Sequence, residues 1–509
     1  MNKLLPYIFI IVFGLAMYAA TIKGMHGNPS PQQIKDRVSA TEPFELSPER
    51  GRYALVVSLA EDRSFALSDI LGKAAEPDVG YYLGRPYIYF APGISVLALP
   101  FYFLGKVFNI SQVGAYYTIA VFALLNQLLI FIISRQVFKL PVWVSVFIAL
   151  VFGFGSTSWS YAVTLYQHHV TTFFIISGFY ATWKYRQRGK FSFLYAMYLW
   201  FAYSCAIFID YPNVILLLPV MFYFFLSAFK IAKQTDGLKI SFHLTFIITS
   251  IVFILMTVLH GYYNQVNFGH WSRLSGSLTG YKEIVAMEKA VLENDTETIE
   301  MLNSDKDIGT FFSEYALPSG FTILTVAVDK GIFIFSPIYL IAIFGIVIAV
   351  AQLNLEKVIL LSISAVNFFL YSSWGDPWGG WAFGPRYLIP SMAVLALFIG
   401  YFLTYFKYKI LGKLITLLLL IYSTSVALLG VLTTNQVPPK VEADYLGMKY
   451  NFLLNYDQLL ANNSSSYLYN TYLSNVLTLQ HYFILIFCCL IITYLYLLFI
   501  LPKQYNHGN

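Results

Sequence analysis

The sequence predicts an all-α polytopic membrane protein of about twelve transmembrane helices. Three observations predict it. Of the 509 residues, 58% are apolar and 11% charged, where a soluble domain carries roughly 25% charged residues. A dozen runs approach the ~20 apolar residues that a bilayer crossing needs. Lys and Arg gather in short loops between alternate runs, which marks those loops as cytoplasmic. The net charge of +6 therefore reports membrane orientation, and no nucleic-acid partner is expected.

The runs lie at 4–22, 113–134, 140–158, 168–184, 191–209, 212–229, 240–261, 331–350, 358–373, 388–406, 412–433 and 481–501. The first follows Met-Asn-Lys and resembles a signal peptide, but its small-residue cleavage pattern is weak and it is kept as a span. The basic loops hold Arg135 and Lys139, then Lys184, Arg186, Arg188 and Lys190, then Lys230, Lys233 and Lys239, then Lys357, then Lys407, Lys409 and Lys413. With Lys3 and Lys503 on the same side, both termini are cytoplasmic and the runs alternate without conflict. That holds only if a shorter run, 90–108, does not cross. It is expected to be a juxtamembrane or re-entrant helix on the outer face of the plasma (inner) membrane.

The outer face then carries every long loop, 23–112, 262–330 (polar at 282–308) and 434–480, and the short Trp- and Gly-rich 374–387. Residues 1–433 form one expected catalytic module with its loops, and 434–509 add an outer loop and a last span. Chemistry belongs on that side, because the cytoplasmic loops are too short to build a site. No Walker A, GxGxxG or HExxH motif occurs, which argues against ATP-driven transport and nucleotide chemistry. Cys205, Cys488 and Cys489 all fall in apolar runs and form neither a disulfide framework nor a CxxC pair.

The first outer loop reads SPERGRYALVVSLAEDRSFALSD and then PDVGYYLGRPYIYFAPG. Glu49 precedes an apolar-periodic stretch, 53–60, which predicts a short amphipathic helix lying on the membrane with the acid near its start. Such an acid also serves simply to meet the helix dipole. Asp69 and Asp78 read as loop acids. His168 and His169 close TLYQHH at the outer mouth of a span, placed to hold an acceptor or a metal, or to serve structurally. Asp210, just before Tyr211 and Pro212, reads as a cap for the following helix. Arg386 stands at an outer helix entrance beside Trp374, Trp378, Trp381 and Tyr387. A surface Arg can snorkel to lipid head groups, but a planar guanidinium beside aromatic rings also suits a lipid-borne phosphate. Asp376 in the same loop would orient Arg386 or ligate a metal. Lys330 is either a second phosphate contact or an interfacial anchor.

The run from Glu49 to about Gly105 resembles the first outer loop of GT-C glycosyltransferases. It is most similar to lipid A aminoarabinose transferases and protein O-mannosyltransferases of family-39 type. The former open a motif Asp-Glu-x-Arg-Tyr-Ala; here Glu49-Arg50-Gly51-Arg52-Tyr53-Ala54 stands in its place. The resemblance makes Glu49 the catalytic acid, with Arg50 where the second acid would be. A Tyr-Phe-Glu-Lys-Pro segment of those enzymes, whose Lys contacts donor phosphate, corresponds to GRPYIYFAPG, which keeps Tyr89, Phe90 and Pro92 but has no Lys. DKGIFIFSPIYL at 329–340 and WGDPWGGWAFGPRYLIP at 374–390 are similar to segments of other prokaryotic membrane glycosyltransferases.

The resemblance implies an inverting glycosyltransferase. It would move a sugar from a polyprenyl-phosphate donor to a lipid, glycan or protein acceptor on the outer face, with membrane lipids around it. Glu49 and Asp78 are the candidate catalytic acids. Arg52, Tyr53, Tyr89, His168, Lys330, Asp376, Arg386 and Tyr387 are the candidate substrate-binding residues. The cofactor expectation is limited to a divalent metal ion. The rivals are a lipid-linked glycan transporter or flippase and a polysaccharide polymerase or ligase. A transporter would place ionisable residues near span midplanes; here they crowd the outer mouths.

Overall fold

The computed structural model describes residues 4–501 apart from 40–41, 191, 235–236, 282, 288–311, 313–316 and 408, and only the backbone at 230–240. Lys3, Lys503 and most of the polar stretch 282–308 thus lie outside the described residues. The chain begins with α1 (Leu5–Thr21), followed by the short α2 (Pro31–Asp36), α3 (Ser47–Val57) and α4 (Asp69–Ala75). A hairpin of β1 (Val79–Tyr82) and β2 (Arg85–Ile88) leads to α5 (Gly93–Val107). Then come α6 (Ser111–Gln136), α7 (Val142–Phe154), α8 (His168–Arg186), α9 (Ser192–Ile209) and α10 (Asn213–Ala228). A second hairpin, β3 (Phe229–Gln234) and β4 (Gly237–Phe242), precedes α11 (Thr245–Phe268) and the two-residue β5 (Thr279–Gly280). The remaining helices are α12 (Leu317–Thr325), α13 (Pro337–Val350), α14 (Leu355–Ser372), α15 (Ile389–Tyr405), α16 (Ile410–Leu432), α17 (Lys440–Leu446), α18 (Phe452–Leu460) and α19 (Leu479–Ile500).

A helix stands in each predicted span. Among the described residues seven helices are long and apolar enough to cross a membrane: α6, α9, α11, α14, Arg386–Tyr405, α16 and α19. α1, α5, α7, α10 and α13 are apolar but shorter, and α8 is long but carries His168, His169, Lys184 and Arg186. Length follows position. α7 is buried from Trp143 to Phe154 and α15 from Ile389 to Gly400, so both sit inside the bundle. Only 11% of the apolar window of α11 is buried, the mark of a face meant for lipid. The predicted span 240–261 shifts to α11, because residues up to Phe242 pair as the β3–β4 hairpin.

The expected amphipathic surface helix is corrected. α3 spans 47–57 and is buried from Glu49 to Val57 on every side, against α4, α5 and α6. Residues 53–58 are buried, covered by α4 and β2, and only Leu59 and Ala60 are half-exposed. β5 adds to the edge of β1, tying the second long loop to the first.

Contacts between helix ends sort into two sets. In one, Lys23 beyond α1 pairs with Glu45 at 2.9 Å, Asn435 N beyond α16 donates to Glu45 at 2.7 Å, and Lys23 N donates to Val163 O between α7 and α8. In the other, Arg186 at the end of α8 pairs with Glu356 at the start of α14, and Lys413 at the start of α16 reaches Leu498 O in α19. α5 joins the first set at both ends. Gly93 lies against the Phe208 carbonyl near the end of α9, and Gly105 packs on Gly114 at the start of α6. A Cβ on Gly114 would collide with the Phe101 carbonyl, so small residues let these backbones close up.

Candidate active site

α3 carries the first acid inward. Ser47 and Pro48 open the helix and Glu49 stands at its third position, where a carboxylate can bend back to the free amides. Glu49 Oε1 accepts from Glu45 N at 3.0 Å and Leu46 N at 3.2 Å, and Oε2 accepts from the Thr164 hydroxyl. The side chain is 1% exposed. Burial, and then the nearby Glu45 carboxylate, hold its carboxyl well above the usual Glu range, against the opposing Lys23 charge. Glu49 therefore lies beneath the surface rather than on it. Tyr53, one turn on, packs among Phe44, Tyr102 and Tyr116 and bonds Ser111 Oγ at 3.0 Å; these contacts turn it into the protein core.

Arg52 points elsewhere. Its guanidinium lies 4.4 Å from the centre of the Phe90 ring and 5.7 Å from that of Tyr166, with Nη1 on Pro48 O at 3.0 Å. Arg386, just ahead of α15, lies 5.1 Å from the centre of the same Tyr166 ring and 5.4 Å from that of Tyr387. Two guanidinium groups thus lie against one aromatic ring. Both Nε atoms are buried without a partner, and among the described residues neither Arg forms an ion pair with a carboxylate. His168 opens α8 between Tyr161, Tyr166 and Tyr387, 3% exposed, its Nε2 also unpartnered. Tyr387 stacks on Tyr371 with centroids 4.2 Å apart. Buried donors left open, close to the positive end of a helix, make this a place for an anion.

Carboxylates flank that place. Asp78, half-buried, takes the Ser47 hydroxyl at 2.5 Å, and its charge is felt by Arg50 and Arg52. Asp210, also half-buried, accepts from Gln167 Nε2 at 3.2 Å and faces Arg52 and Arg386. Burial raises its carboxyl, with Arg52 opposing. The capping role expected of Asp210 is corrected: α10 has no side-chain cap, and Pro212 stands at that position. Tyr89 sits at the edge of the site, its backbone N bonded to Asp78 O, its carbonyl accepting from Ser275 Oγ.

Lys330 and Asp376 are held differently. Lys330 is fully buried, with Nζ donating to the Ala382 carbonyl and to Val437 O at 3.1 Å. Burial pulls its ammonium down to about 7, with Asp329 opposing. The expected phosphate contact is replaced by a clip between two loops, because both carbonyls need the donor. Asp376 is exposed and takes Gly380 N at 2.6 Å, shaping its own turn. Among the described residues no three His, Cys, Asp or Glu side chains converge to hold a metal ion. Sequence reading missed Phe90 and Tyr166 as ring partners, Thr164, and the buried Lys23–Glu45 pair. An acid in the last turn before α3 and a Lys ending α1 were the only signals for that pair.

No family model matches the chain, and no curated protein matches it. Among solved structures it is similar to the Archaeoglobus fulgidus oligosaccharyltransferase complexed with Zn and sulfate. The TM-score is 0.48 at 14% identity, over 86% of this chain and 54% of that one. The archaeal oligosaccharyltransferase AglB from the same organism, with an inhibitory peptide and a dolichol-phosphate, gives 0.43 at 13% identity, over 87% and 58%. The chain thus spans little more than half the length of these proteins. ArnT from Cupriavidus metallidurans in the apo state gives 0.47 at 12% identity, over 97% of this chain and 77% of that one.

Proposed function

We propose that the chain is an inverting membrane glycosyltransferase that takes a sugar from a polyprenyl-phosphate donor and gives it to an acceptor on the outer face of the plasma membrane. The observation that carries this reading is the pair of guanidiniums, Arg52 and Arg386, against the Tyr166 ring, each with a buried, unpartnered Nε and, among the described residues, no ion pair with a carboxylate. Planar forks of this kind suit the phosphate of a lipid carrier, and they would take up the charge that develops as it leaves. His168 and Tyr387 complete the phosphate pocket, and the rings of Tyr371 and Tyr387 offer the sugar a flat wall. The likeness of Glu49–Ala54 and of the WGGW segment to GT-C enzymes supports the same reaction class.

The test is binding of a short-chain polyprenyl phosphate to purified protein. Arg386→Ala and Arg52→Ala should each weaken it. Arg386→Lys, which keeps the charge but loses the fork, should cost about tenfold, ~1.4 kcal/mol. Unchanged affinity in all three variants would sink the proposal.

A further inference from the structure

We infer that Asp210, rather than Glu49, receives the acceptor's proton. The inference rests on the glycosyltransferase reading above and adds the base to it. Three acids lie close enough to compete, and their surroundings separate them. Glu49 is fully buried, and both its oxygens already accept hydrogen bonds, two from backbone amides that open α3 and one from Thr164. An incoming hydroxyl would have to displace a cap. Asp78 is half-buried, but the arginines that feel its charge are Arg50 and Arg52. Arg50 is spoken for by the Ala74 and Glu76 carbonyls.

Asp210 is the acid on which the charges of both arginines act. Its field also reaches Tyr371 and Tyr387, the stacked pair beside them. Gln167 Nε2 fixes Oδ2, and among the described residues Oδ1 has no donor. Gln167 immediately precedes His168, whose Nε2 is likewise open and buried, as is Arg52 Nε. Tyr166 thus carries both guanidiniums and the His168 ring, while Gln167 beside it holds Asp210 with one carboxylate oxygen free. In the step this permits, the acceptor oxygen attacks the anomeric carbon and its proton passes to Asp210 Oδ1. The bond from that carbon to the phosphate oxygen breaks, and polyprenyl phosphate leaves with the electron pair toward Arg52 and Arg386. No further reactant is needed. General-base catalysis by a positioned carboxylate is worth ~10²–10⁴-fold.

The experiment screens short-chain polyprenyl-phosphate monosaccharides against the wild type and uses the one it consumes. Turnover, polyprenyl-phosphate binding and thermal midpoint are measured for Asp210→Asn, Asp210→Glu, Glu49→Gln and Asp78→Asn. Asp210→Asn should lose ~10²–10⁴-fold in turnover while keeping the binding and midpoint of the wild type, and Asp210→Glu should recover part of the loss. The inference is overturned if Asp210→Asn turns over within tenfold of wild type, or if its binding falls in step with its turnover. It is equally overturned if Glu49→Gln or Asp78→Asn shows the pure turnover loss instead. The arginine variants report on phosphate binding separately, so a failure of the base assignment and a failure of the glycosyltransferase reading give different results.

Discussion

Glu49 spends both carboxylate oxygens on its surroundings, and that has a consequence in pH. Burial and the Glu45 charge raise its carboxyl in the folded chain above that of an unfolded Glu, ~4.3. Between those two values the folded state binds more protons than the unfolded one. Stability from this group is therefore full below the unfolded value and is lost as pH rises through the folded one. The thermal midpoint of the wild type should carry a downward component from mildly acidic pH toward neutrality, and Glu49→Gln, which cannot titrate, should lack it. Parallel midpoint-versus-pH curves for the two proteins would show that Glu49 titrates normally. At this scale the sequence was informative wherever chemistry is local. The Ser-Pro-Glu start of α3 and the aromatic setting of Arg386 are visible in a few residues. The partners of Asp210 were not, because Arg52, Gln167 and Arg386 come from three distant stretches that only folding brings together.

The loop 374–387 shows how an element is fixed by residues outside it. Ala382 N donates to Val437 O, Trp381 Nε1 to Glu442 Oε2 at 2.5 Å, and Tyr161 OH to Phe383 O at 3.1 Å. Lys330 Nζ closes the set on Ala382 O and Val437 O, while Asp329 holds Lys440 N at 2.9 Å. Lys330→Met removes the donor from the buried Ala382 carbonyl, which costs about 1–3 kcal/mol when left unmade. The expected result is faster amide exchange across 376–387 together with weaker polyprenyl-phosphate binding through Arg386. A Lys330 that touched phosphate itself would lose affinity with exchange unchanged, so the pair of measurements decides between clip and ligand. Apolar runs made the helices legible, seven of them long and apolar enough to cross a membrane among the described residues, because burial in lipid or in the bundle needs the same residues. The β3–β4 hairpin and the covered α3 were not legible. In the first, strand pairing overrides an apolar run that also suits a helix; in the second, the cover comes from α4 and β2, whose sequences carry no sign of where they dock.

Among the described residues, helix ends meet only ends of their own set, and this makes a topology test possible. α6, α7, α8 and α9 run in alternation, so the start of α6 and the end of α9 share a side, and α5 touches both. A crossing α5 would have to reach opposite faces with its two ends, so the count of spans works only if it lies across the bundle mouth. Arg52, Asp210, Arg386 and the Lys23–Glu45 pair are all on that side, and the loops rich in Lys and Arg are on the other. Because positive loops stay in the cytoplasm, the site side should be extracytoplasmic, where a lipid-borne sugar is available and nucleotide sugars are not. Asn109, between α5 and α6, and Gly189, between α8 and α9, are both exposed and sit on opposite sides. A background in which Cys205, Cys488 and Cys489 are changed to Ala removes the native thiols, two of which are exposed on α19. In intact cells a membrane-impermeant maleimide should then label Asn109→Cys and leave Gly189→Cys untouched until the cells are opened. Labelling of Gly189→Cys alone would mean an inverted molecule or a crossing α5, and in either case would place Asp210 and Arg386 in the cytoplasm. Labelling of neither in intact cells but both after lysis would put both positions in the cytoplasm, which the three spans α6, α7 and α8 between them forbid, and so would break the alternation on which the shared side of Arg52 and Arg386 depends.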